Sequence, residues 1–388
     1  MPAATAPIVV LPYEPDLFGI VRTSAQPPLE TTAEIDLAIA RGAPVFCGVS
    51  GGKDSQALAW RVRRHLDDTG HAGPRFLIHS DLGRVEWRQS LPACERLSER
   101  LGVELVVVRR QAGDLMDRWT ARWDANVRRY AGLKYVKLVL PWSTPSTRFC
   151  TSELKSAVIA SAVRRRFPTG DVISATGVRR EESRARARMP VAKRDERLSR
   201  RSGAGHTWNA LLSWTRRDVL HYLHACGETL HEAYTTFHST RVSCTFCIMS
   251  SLHDLQAAAS CTDNAAVYGE IVRLETRSTF SFQGSRLLAD VALDLLAADE
   301  RADAAEAKER AAEREAAEAL LPDRLLFVQG WPTEVPSIGD ARLIAHVRRR
   351  VAEAARLTVD FIDAASVQAR YVHLMQGRLQ QAAAASRG

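Results

Sequence analysis

Residues 44–55 read Pro44-Val45-Phe46-Cys47-Gly48-Val49-Ser50-Gly51-Gly52-Lys53-Asp54-Ser55. The first six are apolar, short and bounded by turn residues, which suits a strand buried on both faces. A helical pattern follows from Gln56 to Asp67. Between them, Gly51 and Gly52 permit positive φ and let backbone approach a ligand closely. The N–H groups that open the helix then face an anion, with the helix dipole behind them. Ser50 and Ser55 add hydroxyls, Lys53 adds a positive charge, and Asp54 can orient the loop or help to hold Mg²⁺. A plain glycine turn accounts for two glycines, but not for the whole hexapeptide between strand and helix. The loop is not of the Walker A type, because the four-residue spacer before Gly-Lys is missing.

Similar apolar runs recur at 75–79, 103–108 and 172–176, with helical patterns at 56–67 and 86–101 between the first three. This alternation predicts an α/β fold, a doubly wound parallel sheet whose ligands bind beyond the carboxyl ends of the strands. Thr31 and Glu34 offer a capping box for a short helix ahead of the first strand. Residues 1–30 are proline-rich and aperiodic and are expected to form a surface arm, followed by the main domain over 31–288. From about Ala289 to Leu321 the composition turns to Ala, Glu and Arg, predicting a long solvated helix with Leu293, Leu295 and Leu296 packed on one side. Helical spacing recurs at 341–355 and 367–379, so 289–388 reads as a helical C-terminal extension.

The 388 residues carry a net charge of +8, which favours an anionic partner. There is no secretory pattern at the N-terminus and no apolar run long enough to span a bilayer, so a cytoplasmic protein without a membrane partner is expected. Seven cysteines form an odd set with one tight pair, which argues against a disulfide framework and for a metal or redox site.

Two more segments complete the expected anion site. Asp81, in His79-Ser80-Asp81-Leu82-Gly83, stands at a strand end, either as a nucleotide or Mg²⁺ contact or as a cap for the segment from Glu86. Thr176-Gly177-Val178-Arg179 follows the fourth strand; Gly177 allows backbone approach and Arg179 can grip a phosphate with two prongs. From Arg179 to Arg201 there are ten Lys/Arg against four Asp/Glu, which predicts a mobile basic loop. Arg184, Arg186 and Arg188 are either phosphate contacts or a solvated face.

The Ser50–Ser55 loop resembles the Ser-Gly-Gly-x-Asp-Ser signature of the PP-loop ATP pyrophosphatases. Within that superfamily, residues 40–255 are similar to the phosphoadenosine-phosphosulfate (PAPS) reductase-like branch, where a Gly-x-Arg-x-x-Glu-Ser-x-x-Arg pattern like that from Gly177 to Arg186 recurs. The resemblance implies an adenine nucleotide alpha-hydrolase-like fold that binds ATP, splits it between the α- and β-phosphates, and transfers AMP to a substrate oxygen. Lys53, Asp54 and Arg179 would then be catalytic. Ser50, Gly51, Gly52, Ser55, Asp81 and Gly177 would bind ATP and pyrophosphate.

Cys244-Thr245-Phe246-Cys247 can point two sulfurs at one metal, and Cys150 and Cys261 can complete a four-thiolate set. A [4Fe–4S] cluster on all four or on three, a structural Zn²⁺, and a metal-free redox or persulfide pair all remain open. The branch tilts the choice to the cluster, since its DNA phosphorothioation and adenylyl-sulfate reductase members carry one. Cys47 reads as core, and Cys94 and Cys226 as packed thiols. The branch's reductases use a cysteine near the C-terminus, and none follows Cys261 here; reductases of the phosphorylated nucleotide also tend to lose the loop lysine, whereas Lys53 is present. The resulting expectation is ATP-dependent sulfur transfer, with DNA or tRNA as acceptor and a sulfur donor such as a cysteine desulfurase. Trp208 and Trp214 can stack on bases, although core packing suits them better. Sulfonucleotide reduction, an ATP sulfurylase-like role and a non-catalytic nucleotide-sensing scaffold are the alternatives.

Overall fold

The computed structural model describes residues 28–385, so nearly all of the expected arm over 1–30 lies outside the described residues. Among them, six strands form one sheet: β1 (Val45–Val49), β2 (Arg75–Asp81), β3 (Glu104–Arg109), β4 (Val172–Ala175), β5 (Ala192–Arg194) and β6 (Gly205–Trp208). Their order is β3-β2-β1-β4-β6-β5, and every neighbouring pair is parallel except the antiparallel β5–β6 edge. The chain runs outward from β1 through β2 to β3, then returns to place β4 on the other side of β1. That reversal makes the β1–β4 gap the switch point where such sheets bind ligands.

Side chains of β1 alternate between faces. Val45, Cys47 and Val49 pack against Leu58, Val62 and Leu66, which recur every four residues along α2 (Lys53–Asp68). In helix numbering α1 is Ala33–Ala40, α3 Ser90–Leu101, α4 Leu115–Ala131 and α5 Ala157–Arg166. Phe46, Phe76 and Ile78 meet Ala160 and Val163 of α5 on the opposite face. Burying each large apolar side chain contributes about 1.5–3 kcal/mol, so both faces hold the sheet rigid beneath the site. Gly48 breaks the pattern: it is exposed on the central strand, with nothing within 4 Å of where a Cβ would stand.

Three local expectations need correction. The cap of α1 is Thr32, whose hydroxyl accepts from the Ile35 N–H, whereas Thr31 donates to Asp36. The basic segment from Arg179 is folded, with a helical turn at Arg184–Ala187 and the edge strand β5. Asp195 pins it: its carboxylate accepts from Arg197 (2.9 and 2.8 Å) and Thr207 (3.1 Å). The expected 289–321 helix occupies only Ala298–Glu318, and of its three leucines Leu296 alone is buried.

Beyond α6 (Arg216–Ala225) the helices are α7 (Leu252–Ala259), α8 (Ala265–Ser278), α9 (Ala298–Glu318), α10 (Ile338–Ala354) and α11 (Ala364–Ala385). The C-terminal helices share one apolar core with α4, in which Trp119, Trp123 and Tyr130 join Ala304, Ile344 and Val347. Arg348 is fully buried there, donating to the carbonyls of Tyr130 and Ala131 at 2.8 Å each. No described helix is long and apolar enough to cross a membrane.

Candidate active site

The loop after β1 is built on backbone. Gly51 has φ +72°, and a Cβ there would stand 3.0 Å from the Ser90 carbonyl oxygen. The Ser55 hydroxyl donates to Gly52 O (2.8 Å) and accepts from the Ser50 N–H (3.3 Å), which closes the turn. Gly51, Gly52 and Asp54 have N–H groups with no protein acceptor among the described residues. Unpaired N–H groups gathered at a helix start form an anion cradle. The loop after β4 presses onto it: a Cβ on Gly177 would lie 2.7 Å from Asp54 O, so only glycine fits.

Lys53 is buried, with Nζ 3.4 Å from Asp54 Oδ2, 3.3 Å from Thr240 O and 4.9 Å above the Tyr234 ring. Burial pulls its pKa below the ordinary lysine value, and Asp54 opposes that pull. Tyr234 accepts from the Lys53 N–H (3.3 Å) and the Val242 N–H (3.1 Å), so it roofs the loop. Arg179 is buried too; its Nε donates to Asp54 Oδ1 (2.8 Å) and its Nη1 pairs with Glu181. Its Nη2 has no protein acceptor among the described residues. Asp54 is therefore committed to Lys53 and Arg179, which matches loop orientation better than a metal contact.

Asp81 is turned toward β3. Its carboxylate accepts from the Gly83 N–H (2.7 Å) and pairs with Arg109, at the edge of a cavity of about 450 Å³ shared with Arg84 and Asp114. The structure thus brings Ser50–Ser55, Gly177 and Arg179 together, and sets Asp81 facing a different opening.

His79 links the loop to the cysteines. Its Nδ1 faces Val49 O (3.0 Å), the last residue before the loop, and its Nε2 faces Glu86 Oε2 (3.1 Å). Burial disfavours its charge, but hydrogen bonds to Cys94 and Glu86 outweigh that and hold its pKa at about 10. A doubly protonated ring satisfies both acceptors. Glu86 in turn bridges to Cys244 in an isolated antiparallel pair. On the far side of the loop, buried His231 accepts from the Ala233 N–H at 3.0 Å; burial lowers its pKa to about 4, so that ring is neutral.

Cys150, Cys244 and Cys247 form one group. Burial raises the Cys244 thiol to about 12; Lys155 works against that rise, while Cys247, Glu86 and Cys150 add to it. The Cys247 sulfur accepts the Met249 N–H at 3.4 Å. Cys150 leads into a π-helical turn at Ser152–Ser156 that carries Lys155, and such turns concentrate at functional sites. Cys261 stands apart: it is buried, and the charges nearest its thiol are Asp263 and Glu232. Of the four expected thiols, Cys150 and Cys247 are among the groups that act on Cys244, whereas Asp263 and Glu232 are those that act on Cys261. No three His, Cys, Asp or Glu side chains among the described residues form a group that could hold a metal ion. A cluster places its ligands on different irons and tolerates thiols set farther apart.

A cavity of about 290 Å³ opens beside Gly177, over the exposed face of Gly48. Ser174, Thr176, Thr207 and Asn209 line one part of it, and Lys193 and Arg197 of the basic segment another. Trp208 and Trp214 are buried in the core and face no ligand. Tyr234, Glu86 and Lys155 were missed as site residues. The only signal for Tyr234 was the polar run His231–Thr240 just ahead of the cysteine pair.

Residues 44–249 match the phosphoadenosine phosphosulfate reductase domain family. The chain belongs to that family. Its members are enzymes, and membership places the chain in the PAPS reductase-like branch of the PP-loop superfamily. Among solved structures it is similar to phosphoadenylyl-sulfate (PAPS) reductase from Candida auris, in a phosphate complex, at 12% identity over 56% of this chain and 98% of that one, with a TM-score of 0.34. It is also similar to the U34-tRNA thiolase NcsA from Methanococcus maripaludis with its [4Fe-4S] cluster, at 12% identity over 68% and 87% of the two chains, with a TM-score of 0.33. No curated protein matches the chain. The assignment rests on the family match, not on these distant likenesses.

Proposed function

We propose that this chain is an ATP-dependent sulfurtransferase acting on a nucleic acid. The observation that carries the reading is the nearness of the anion cradle to the thiols: His79 joins Val49 O to the Glu86 carboxylate, the charge of Glu86 acts on the Cys244 thiol, and the Glu86 and Cys244 backbones pair. A nucleotide cradle alone suits many reactions. A cradle with three cysteines nearby suits activation followed by sulfur delivery.

In this reading ATP lays its β- and γ-phosphates on the N–H groups of Gly51, Gly52 and Asp54, and its nucleoside enters the cavity over Gly48. Arg179 offers Nη2 to a phosphate while its other edge holds Asp54 in place. An acceptor oxygen attacks the α-phosphorus, the bond to the bridging oxygen breaks, and pyrophosphate leaves. Lys53 and the N–H groups stabilise the charge that grows on it. Sulfide then attacks the atom that carries the adenylated oxygen, and AMP departs with that oxygen; a persulfide donor such as a cysteine desulfurase supplies this sulfide with two electrons from a thiol reductant. Cys150, Cys244 and Cys247 are the residues that would hold a [4Fe–4S] cluster, which would bind and activate sulfide. The two carboxylates expected to meet Mg²⁺, Asp54 and Asp81, are each paired with an arginine, so no step is assigned to that ion.

Arg197 beside the cavity is neutralised by Asp195, and Lys193 is the cation of the lining without a carboxylate partner among the described residues; its charge favours an anionic acceptor over a neutral one. Mass spectrometry of nucleosides and dinucleotides from cells with and without the gene tests this. A sulfur-containing species is expected that disappears on deletion and does not return with Lys53→Ala. Unchanged nucleic acids together with free sulfite production from a sulfonucleotide would establish the reductase alternative instead.

A further inference from the structure

A cavity of about 600 Å³ lies far along the chain from the loop chemistry, between α4, α8, α9 and the end of α10. Trp123, Val127 and Leu357 give it an apolar floor, and Arg128, Arg277, Arg310 and Arg356 stand around it with only Asp124 and Asp303 in the lining. Two of those arginines are already paired, Arg277 with Asp124 (2.7 Å) and Arg356 with Glu306. The other two have no carboxylate partner among the described residues. Arg310 reaches only carbonyls, Thr276 O at 3.2 Å and Ala354 O at 3.5 Å, and its Nε is buried with no partner at all. Burial and the neighbouring Arg356 both disfavour its charge.

A buried donor left without an acceptor costs about 1–3 kcal/mol; Arg61 and Arg200 carry such donors too, and Arg310 differs from them in lining this cleft. The end of α10 shows a second cost. Arg356 adopts φ +54°, the left-handed conformation that follows helices and that glycine takes without strain. Arginine there gives up glycine's ease and gains a guanidinium on the cavity rim.

We propose that this cleft binds a phosphate group, with Arg310 and Arg128 as its donors. The seam where the helical extension packs on α4 and α8 would then be a second anion-binding site on the same chain, separate from the loop at Ser50–Ser55. Two sources share the chemistry: a phosphodiester of a nucleic-acid strand, and the phosphate of a small molecule. The apolar floor leaves room for a base or other flat group beside the phosphate.

Hydrogen-exchange mass spectrometry on the full chain reads the site directly, with inorganic pyrophosphate and a single-stranded 12-nucleotide DNA as separate probes. Slower exchange is expected in peptides spanning 303–310 and 352–357, apart from any change at 50–55. Protection by the DNA alone identifies a strand phosphate, and protection by pyrophosphate as well identifies a small phosphate; either upholds the proposal. Affinity for the protecting probe should fall on the order of tenfold in Arg310→Gln and in the more exposed Arg128→Gln. It should not change in Arg342→Gln, an exposed arginine outside the cleft. Protection confined to 50–55 with both probes, or equal loss in all three variants, overturns the proposal.

Discussion

The anion cradle and the cysteine group sit over neighbouring strand ends, yet they are made of different material. The cradle is backbone: N–H groups at the start of α2, a glycine at φ +72°, and Gly177 pressed within 2.7 Å of Asp54 O if it bore a Cβ. The cysteine group is side chain, drawn from the helical turn Phe149–Thr151 just ahead of the π-helical one and from a loop almost a hundred residues later. Backbone sites are held by the sheet, whereas side-chain sites need an occupant to bring their donors together. The two halves should therefore fail separately.

The largest effect is expected at Lys53. Lys53→Ala should lower pyrophosphate release by roughly 10²–10³-fold, the scale for losing one preorganised charge-stabilising group. Iron content after anaerobic purification should stay at the wild-type level, because the cysteines are untouched. Cys244→Ser should do the reverse, abolishing iron and sulfide content while ATP is still split. Parallel loss of both properties in either variant would mean that the two halves are one unit.

Gly177→Ala sharpens the contrast on the backbone side. The added methyl meets Asp54 O, so unfolding free energy should fall by about 1–3 kcal/mol in urea titrations. ATP affinity should weaken with it. On the thiol side Cys261→Ser should leave iron content unchanged, because that thiol is not grouped with the other three.

The smallest effect concerns the link between the halves. His79 is held at about 10, against about 6.5 when unfolded, so folding binds a proton there. Its stabilisation is complete below about pH 6.5 and is lost as pH rises through about 10. Urea midpoints should decline over that window in the wild type. In Glu86→Gln, which removes one of the partners that hold the charge, the decline should flatten.

What was legible in the sequence follows the same division. β1 to β4 announce themselves as apolar runs, and the hexapeptide carries its chemistry in six contiguous residues. β6 did not show itself, since Gly205-His206-Thr207-Trp208 is four residues with one large apolar side chain, and β5 is an edge of Ala, Lys and Arg. Spacing named the cysteine pair alone; Cys150 and Cys261 lie far from it in sequence, and spacing cannot say where either thiol points. Glu86, Tyr234 and Lys155 reach the site through space and left no mark in spacing. The basic segment looked mobile because its anchor, Asp195 with Thr207, joins residues twelve positions apart.

The central claim is the bond that the cradle breaks. Anaerobically purified protein should be incubated with ATP and nucleic acid, and the nucleotide products resolved by chromatography. AMP and pyrophosphate in equal amounts, both absent with Lys53→Ala, are predicted. ADP and phosphate, or intact ATP with every acceptor tried, would contradict the account and leave the cradle as a nucleotide sensor.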